Sequence, residues 1–267
     1  MSADKRVWWG DFTAREFENL DPHETIAVLP IAATEQHGPH LPVSTDHTIM
    51  AGMLEAVFAQ LPGDLDVRFL PIQCIGKSNE HIRVPGTLTL DATTIIDAWT
   101  QIGGSIARAG IRKLVMVNSH GGNEELMGIV ARELRVRHDM LVAKTSWMRF
   151  SVPEGLFSEY DRAYGIHGDD YETSVMLHLS PDVVQMDKVQ NFTSAVPKAR
   201  ETFRHLAHQS PHAFAWIAGD LNPQGVVGES HLATAEKGAA CVTYQTKGFV
   251  ELLQDVRAAK LDEWLTG

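Results

Sequence analysis

Fifteen residues, Ala33–His47 (ATEQHGPHLPVSTDH), hold three histidines, a glutamate and an aspartate directly after an apolar run. Glu35 and His37 are two apart, and in extended backbone such side chains share a face. At a strand end beside a Gly38-Pro39 turn, a carboxylate and an imidazole must be solvated, paired or metal-bound. Asp46 follows a loop containing Gly38, Pro39 and Pro42. Either it caps the helix that begins there, in competition with Ser44 and Thr45, or the loop folds back and brings it to Glu35 and His37. His40 and His47 read as loop residues in supporting positions.

Two further stretches offer similar groups. In SHGGN, His120 precedes Gly121 and Gly122, which permit positive φ and a close approach of backbone to a ligand. The amides opening the next helix can face an anion or a developing oxyanion there. In GIHGDDYETS (Gly165–Ser174), His167 sits between glycines and Glu172 falls in the first turn of an apolar helix. A carboxylate in that turn also suits the helix dipole with no further role. Asp169 and Asp170 read as capping, solvent-exposed residues.

Glu35, His37, Asp46, His120 and Glu172 make a mixed nitrogen and oxygen set, which suits Zn2+, Mn2+ or Fe2+. Five ligands exceed the three usual for one catalytic zinc. They fit two ions about 3.5–4 Å apart that share a carboxylate. Three carboxylates against two divalent cations leave a net positive centre, which favours ionising a water and hence hydrolysis.

Strands and helices must bring these stretches together. Ile26–Ala33 and Lys113–Asn118 are continuous apolar runs, as expected of strands buried on both faces. Val67–Ile75 and Met140–Thr145 read as two more strands. Helical stripes cover Asp46–Leu61, Asp91–Ala109 (Asp91 as N-cap), Asn123–Val136 and Tyr171–Leu179. The stretch from Ala233 reads as helix through at least Leu252, with an interruption near Gly248. The alternation predicts an α/β fold, a largely parallel sheet with helices on both faces. Functional groups in such folds lie at the carboxyl ends of the strands, where Glu35, His37 and His120 all fall.

The chain has 267 residues, 44% of them hydrophobic and 21% charged, with a formal net charge of -11. That balance argues against a nucleic-acid surface. No apolar run reaches the roughly 18 residues of a membrane span, and MSADKRVWWGDF lacks an apolar signal core, so a cytoplasmic protein is expected. Cys74 and Cys241 cannot form a disulfide framework and are expected in the core.

With these residues in place, the sequence resembles the creatininase (creatinine amidohydrolase) family, in its HGGN form. The matching stretches are LPIAATEQHGPHLPVSTD, SNEHIRVPGTLTL, VMVNSHGGN, HGDDYETSVML and GVVGESHLATAEKG, in family order over most of the chain. The resemblance implies a single three-layer α/β/α domain over residues 1–267, a dinuclear centre and, typically, a homo-oligomer, hexameric in the family. It implies that Glu35, His37, Asp46 and His120 are metal ligands, with Asp46 bridging. Creatininase itself takes a further ligand from a glutamate two residues after the equivalent of His120. That position is Gly122 here, and Glu172 looks like the replacement. His167 matches the catalytic histidine, and Glu80 and His81 match pocket residues.

The implied activity is amidohydrolysis of a non-peptide or cyclic C–N bond of a small molecule by a metal-bridging hydroxide. His167 would carry the proton and the Gly121 and Gly122 amides would assist. A formamide deformylase, peptidase or lactonase on the same centre is the alternative, and a non-catalytic metal-binding assembly protein is a further one. Trp147 and Trp216 are candidates either for the substrate wall or for simple packing.

Overall fold

The computed structural model describes residues 6–209 and 211–264. Four parallel strands, β1 (Ile26–Ile31), β2 (Val67–Phe69), β3 (Lys113–Asn118) and β4 (Leu141–Ser146), pair in the order β2-β1-β3-β4. Ile31 lies opposite Asn118, and Asn118 opposite Ser146, so three strands end level with one another. Chain leaving them therefore emerges along one edge.

β1 and β3 are buried at every position, the expected fate of unbroken apolar runs in the middle of a parallel sheet. Alternate side chains serve opposite faces. Ile26 and Val28 join Val115 and Val117 beneath α2 (Thr45–Phe58), α6 (Asp170–Leu179) and α9 (Ala235–Ala258). Ala27, Leu29 and Ile31 join Leu114 and Met116 beneath α3 (Ala92–Arg108) and α4 (Glu124–His138). The result is the expected three-layer α/β/α arrangement. Shorter helices α1 (Ala14–Phe17), α5 (Glu159–Tyr164), α7 (Val196–Thr202) and α8 (Ala218–Leu221) lie in the connections. Among the described residues, no helix is long and apolar enough to cross a membrane.

Several local expectations need correction. The strand read over Val67–Ile75 spans three residues: Leu70 N donates to Val28 O, but Pro30 of β1 has no N–H to give in return, and the next bond to β1 comes from Gln73 N, one residue out of register. Pairing resumes only as an isolated bridge between Ile31 and Gln73. Gly248 does not interrupt the last long helix. A Cβ there would come within 2.8 Å of the Phe150 ring, so glycine admits a side chain from the loop after β4. Asp91 stands at the N-cap of α3 without a capping hydrogen bond from its side chain. Cys241 is buried as expected, whereas Cys74 is only half-buried, its Sγ 3.2 Å from Nδ1 of His47.

Candidate metal centre

Asp46 lies just inside α2 and is buried, and Ser44, not Asp46, holds the cap position. The loop does fold back. Asp46 Oδ1 is 3.6 Å from His37 Nε2, and Oδ2 is 3.6 Å from His120 Nδ1. One carboxylate thus faces two imidazoles from its two oxygens. Glu35 Oε1 lies 3.1 Å from the same His120 Nδ1, and Glu172 Oε2 lies 3.7 Å from the same His37 Nε2. All five residues of the sequence-derived set meet in one place, at the carboxyl edge of the sheet.

The tautomers follow from the outer nitrogens. His37 Nδ1 donates to the Glu35 carbonyl at 3.0 Å, and His120 Nε2 donates to the Lys77 carbonyl at 2.8 Å. Each ring therefore turns a lone pair toward the carboxylates, the arrangement of metal-binding histidines held by a carbonyl behind them. Both Glu35 oxygens, His37 Nε2 and Asp46 Oδ2 are buried without a hydrogen-bond partner. Buried polar atoms rarely go unsatisfied, and facing acceptors of this kind call for cations between them. The donor set fits two divalent ions. Ligand atoms of His37, Asp46 and Glu172 fall within 4.8 Å of one another, as do those of Glu35, Glu80 and His120, and those of Glu35, His37 and His167.

The electrostatics say the same. Burial opposes charge on His37, yet Asp46, then Glu172 and Glu35, outweigh it and raise its pKa to about 10. Burial is likewise overcome at His120 by Glu35 and Asp46, which hold it well above the usual imidazole range. Burial and the neighbouring Asp46 push Glu172 up to about 7, despite His37. Burial and the Glu35 charge raise Asp46 as well. Crowded carboxylates raise one another's proton affinity and that of imidazoles among them; positive charge of any kind relieves this centre.

Gly38 turns the chain between His37 and Pro39 at φ +67°. Its missing Cβ leaves room for Val226, whose Cγ1 a side chain would meet at 2.7 Å. Ser119 Oγ donates to the Asp46 carbonyl at 2.9 Å and ties the start of α2 to the end of β3. Neither Gly121 nor Gly122 uses positive φ. Gly122 is needed for space: a Cβ would sit 2.3 Å from the Lys77 carbonyl oxygen and 2.5 Å from Glu80 Oε1.

Glu80 and His81 also arrive at the centre, Glu80 Oε1 3.4 Å from His120 Nε2 and His81 Nε2 3.4 Å from Glu35 Oε1. His167 Nε2 donates to the Gln36 carbonyl at 2.7 Å, so its Nδ1 lone pair points inward, 3.6 Å from Glu35 Oε1. Its ring lies 4.2 Å from the His81 ring in a stacked arrangement and 4.1 Å from the His37 ring. Burial, followed by the charges on His37 and His81, depresses its pKa far below the ordinary value.

Other candidates fall outside. His40 is buried and bonded through Nε2 to Thr173 Oγ1 at 2.9 Å, and His47 faces Cys74. Asp169 caps α6, accepting from the Glu172 N–H, but it is buried, and so is Asp170, which pairs with Lys237. Their reading as solvent-exposed residues is corrected: α9 covers this end of α6. Trp147 is buried against the Phe249 ring and also borders the cavity beside the centre. Trp216 packs near Val196, Leu221 and Val227 and donates to the His208 carbonyl.

Sequence reasoning missed Gln36, Asn118 and Asn123. The Gln36 amide nitrogen donates to Gly225 O at 2.6 Å and to His81 Nδ1 at 2.7 Å. That fixes His81 with its Nε2 proton toward Glu35. Its Oε1 accepts from the Gly38 N–H at 2.9 Å. Asn118 Oδ1 accepts from the His120 N–H, and from Asn123 Nδ2 at 3.0 Å. Asn123 Oδ1 accepts from the Lys77 N–H at 2.9 Å. The flanking asparagines of NSHGGN were the available signal.

The sequence profile of the Creatininase family, described as creatinine amidohydrolase, matches residues 10–253. The mycofactocin precursor peptide peptidase of Mycolicibacterium smegmatis is 29% identical over 247 residues, covering 92% of this chain and 90% of its own. The creatinine amidohydrolase of Pseudomonas putida is 27% identical over 268 residues, covering 94% and 97%. A crystal structure of creatinine amidohydrolase superposes with a TM-score of 0.74 at 25% identity, covering 96% of this chain and 100% of that one. Solved creatininases include a zinc–zinc form and a manganese form.

Proposed function

The chain belongs to the creatininase family of amide-bond hydrolases, and from that premise we propose that it is a dinuclear metal-dependent amidohydrolase acting on a non-peptide or cyclic C–N bond of a small molecule. The observation that carries this reading is Asp46, buried between His37 and His120 with one oxygen toward each. Glu35, Asp46 and His120 would hold one ion; His37, Asp46 and Glu172 would hold the other. Zinc and manganese both suit this donor set. When bound, such ions polarise a carbonyl and ionise water near neutral pH.

The protein's own groups do the rest. His167 is kept neutral by burial and keeps its Nδ1 lone pair free because Nε2 donates to Gln36 O. It takes the proton of the attacking water and returns it to the leaving nitrogen. His81, its tautomer set by Gln36, orients Glu35. Gly121 borders the adjoining cavity, where its amide can meet the developing oxyanion. Glu80 lines the centre beside His120. A homo-oligomeric, cytoplasmic enzyme, hexameric by resemblance, completes the proposal.

A second reading is a peptidase or formamide deformylase on the same centre. It is favoured by the likeness to a peptide peptidase and by Gly122, which stands where creatininase carries a ligand glutamate. Elemental analysis of the purified protein tests the core of the proposal: two ions per chain are expected. His167→Ala separates proton transfer from ligation. It should keep both ions and lose turnover, on the order of 10²–10⁴-fold. If an ion is lost instead, His167 is a ligand, as its place beside Glu35 and His37 allows.

A further inference from the structure

A cavity of about 340 Å3 adjoins the centre, lined by His120 and Glu172 and also by Arg162, Trp147, Met148 and Tyr171. That volume suits a small organic molecule. Most polar groups on its walls are already engaged. The Asn118 side chain is bonded to the His120 backbone and to Asn123, and Ser119 Oγ to the Asp46 carbonyl. Asp169 caps α6, and the Tyr171 hydroxyl donates to Gln245 Oε1. Glu124 pairs with Lys144 and Arg149. Ser146, Gln209, Arg162 and the partnerless indole N–H of Trp147 remain, and of these only Arg162 is charged.

Arg162 is exposed, and among the described residues its guanidinium makes no ion pair or side-chain hydrogen bond. It is nevertheless firmly placed. Its neighbour Asp161 is buried and accepts from the Glu229 N–H at 2.7 Å, and Ser158, the N-cap of α5, accepts from the Asp161 N–H. The helix therefore presents an unpaired planar cation on the lining of the same hollow that His120 and Glu172 border. A guanidinium in that setting matches a carboxylate, which it can hold by two parallel hydrogen bonds.

Resting on the metallohydrolase reading, we propose that Arg162 selects amides that carry a carboxylate, the amide carbonyl lying at the metal centre and the carboxylate at the rim.

Paired metal-seeking probes test this on the metal-loaded protein. Succinic acid monohydroxamate carries a carboxylate arm; butyryl hydroxamate is its neutral counterpart. Calorimetry should show the acid binding roughly 10-fold or more tightly, the scale of a charge-assisted hydrogen bond. Arg162→Gln should abolish the preference and leave the neutral probe unchanged, and Arg162→Lys should restore part of it. Equal affinity for the two probes, or a preference that survives Arg162→Gln, overturns the proposal. Binding of neither probe by protein that carries its ions overturns it too. Protein that takes up no ions fails the metal reading itself, a separate result visible in the elemental analysis.

Discussion

The two edges of the sheet both bury charged residues, and they treat them oppositely. At the amino edge, Lys113 is buried at the start of β3, and its Nζ donates to the Arg257 carbonyl at 2.6 Å. Arg257 in turn bonds Glu24 and Asp64, each at 2.8 Å, and Thr25 Oγ1 donates to Asp66 at 2.7 Å. The hollow at that edge is larger, about 650 Å3, yet Lys113, Glu24, Arg257, Lys260 and Glu263 on its walls all have partners. At the carboxyl edge, Glu35, His37 and Asp46 turn unpartnered atoms toward one another. Cavity size therefore points to the wrong edge, whereas unsatisfied polarity points to the chemistry. A group that folding alone would have paired has been left open for something else to bind.

The comparison is broken most directly at Asp46. Asp46→Ala should lose at least one ion per chain by elemental analysis and lower turnover by at least about 100-fold, since even outer partners of metal ligands cost 10–100-fold. Full metal content in that variant would remove the distinction between the edges.

Chelation should act next. Each ion present at about 1,000 times its dissociation constant stabilises the fold by about 4 kcal/mol, so stripping both should lower the melting temperature by roughly 20 °C in a chain of this size. Lys113→Met should respond differently. It leaves the Arg257 carbonyl without its buried donor, at about 1–3 kcal/mol, while metal content and the chelator response stay as in the parent. A lowered metal content would show that the amino edge supports the centre after all.

The sign of pH dependence sharpens the contrast. In metal-free protein, the raised pKa of His37 means that its charged form stabilises the fold fully below about 6.5, and this stabilisation is lost as pH rises through about 10. Metal uptake needs the neutral ring, so it should release protons at pH 7. Calorimetry of zinc binding in buffers of different ionisation enthalpy measures that release. The smallest effect is expected from Gln36→Glu or Gln36→Ala: metal content persists and turnover falls by roughly 10–100-fold, as His81 loses the donor that fixes its tautomer.

Much of this was readable from residues alone. β1 and β3 are buried on both faces, so their apolar runs left little choice of state, and the polar clusters that follow them had to share an edge. The shortened β2 was hidden because hydrophobicity continues past Phe69, while the ladder breaks at Pro30 of the neighbouring strand, which has no N–H to give. Gly248 suggested an interruption, but its role is set by Phe150, about a hundred residues earlier in the chain. Gln36 escaped notice because strict alternation turns it away from Glu35 and His37. The backbone after Ile31 is irregular, and that brings all three inward. Glu80 and His81 had no periodic signal and were reached through family resemblance, and Arg162 sits on a helix too short to carry a pattern.

Asp46 also has a mechanical consequence. The proposed ligands come from the segment after β1, the start of α2, the loop after β3 and the start of α6, spread along the chain from Glu35 to Glu172. Ions held among them act as cross-links, each closing a long loop and reducing the freedom of the unfolded chain, as a disulfide does. Cleavage by a protease should thus concentrate, after chelation, in the connections leading to these four segments, while the paired amino edge keeps its resistance.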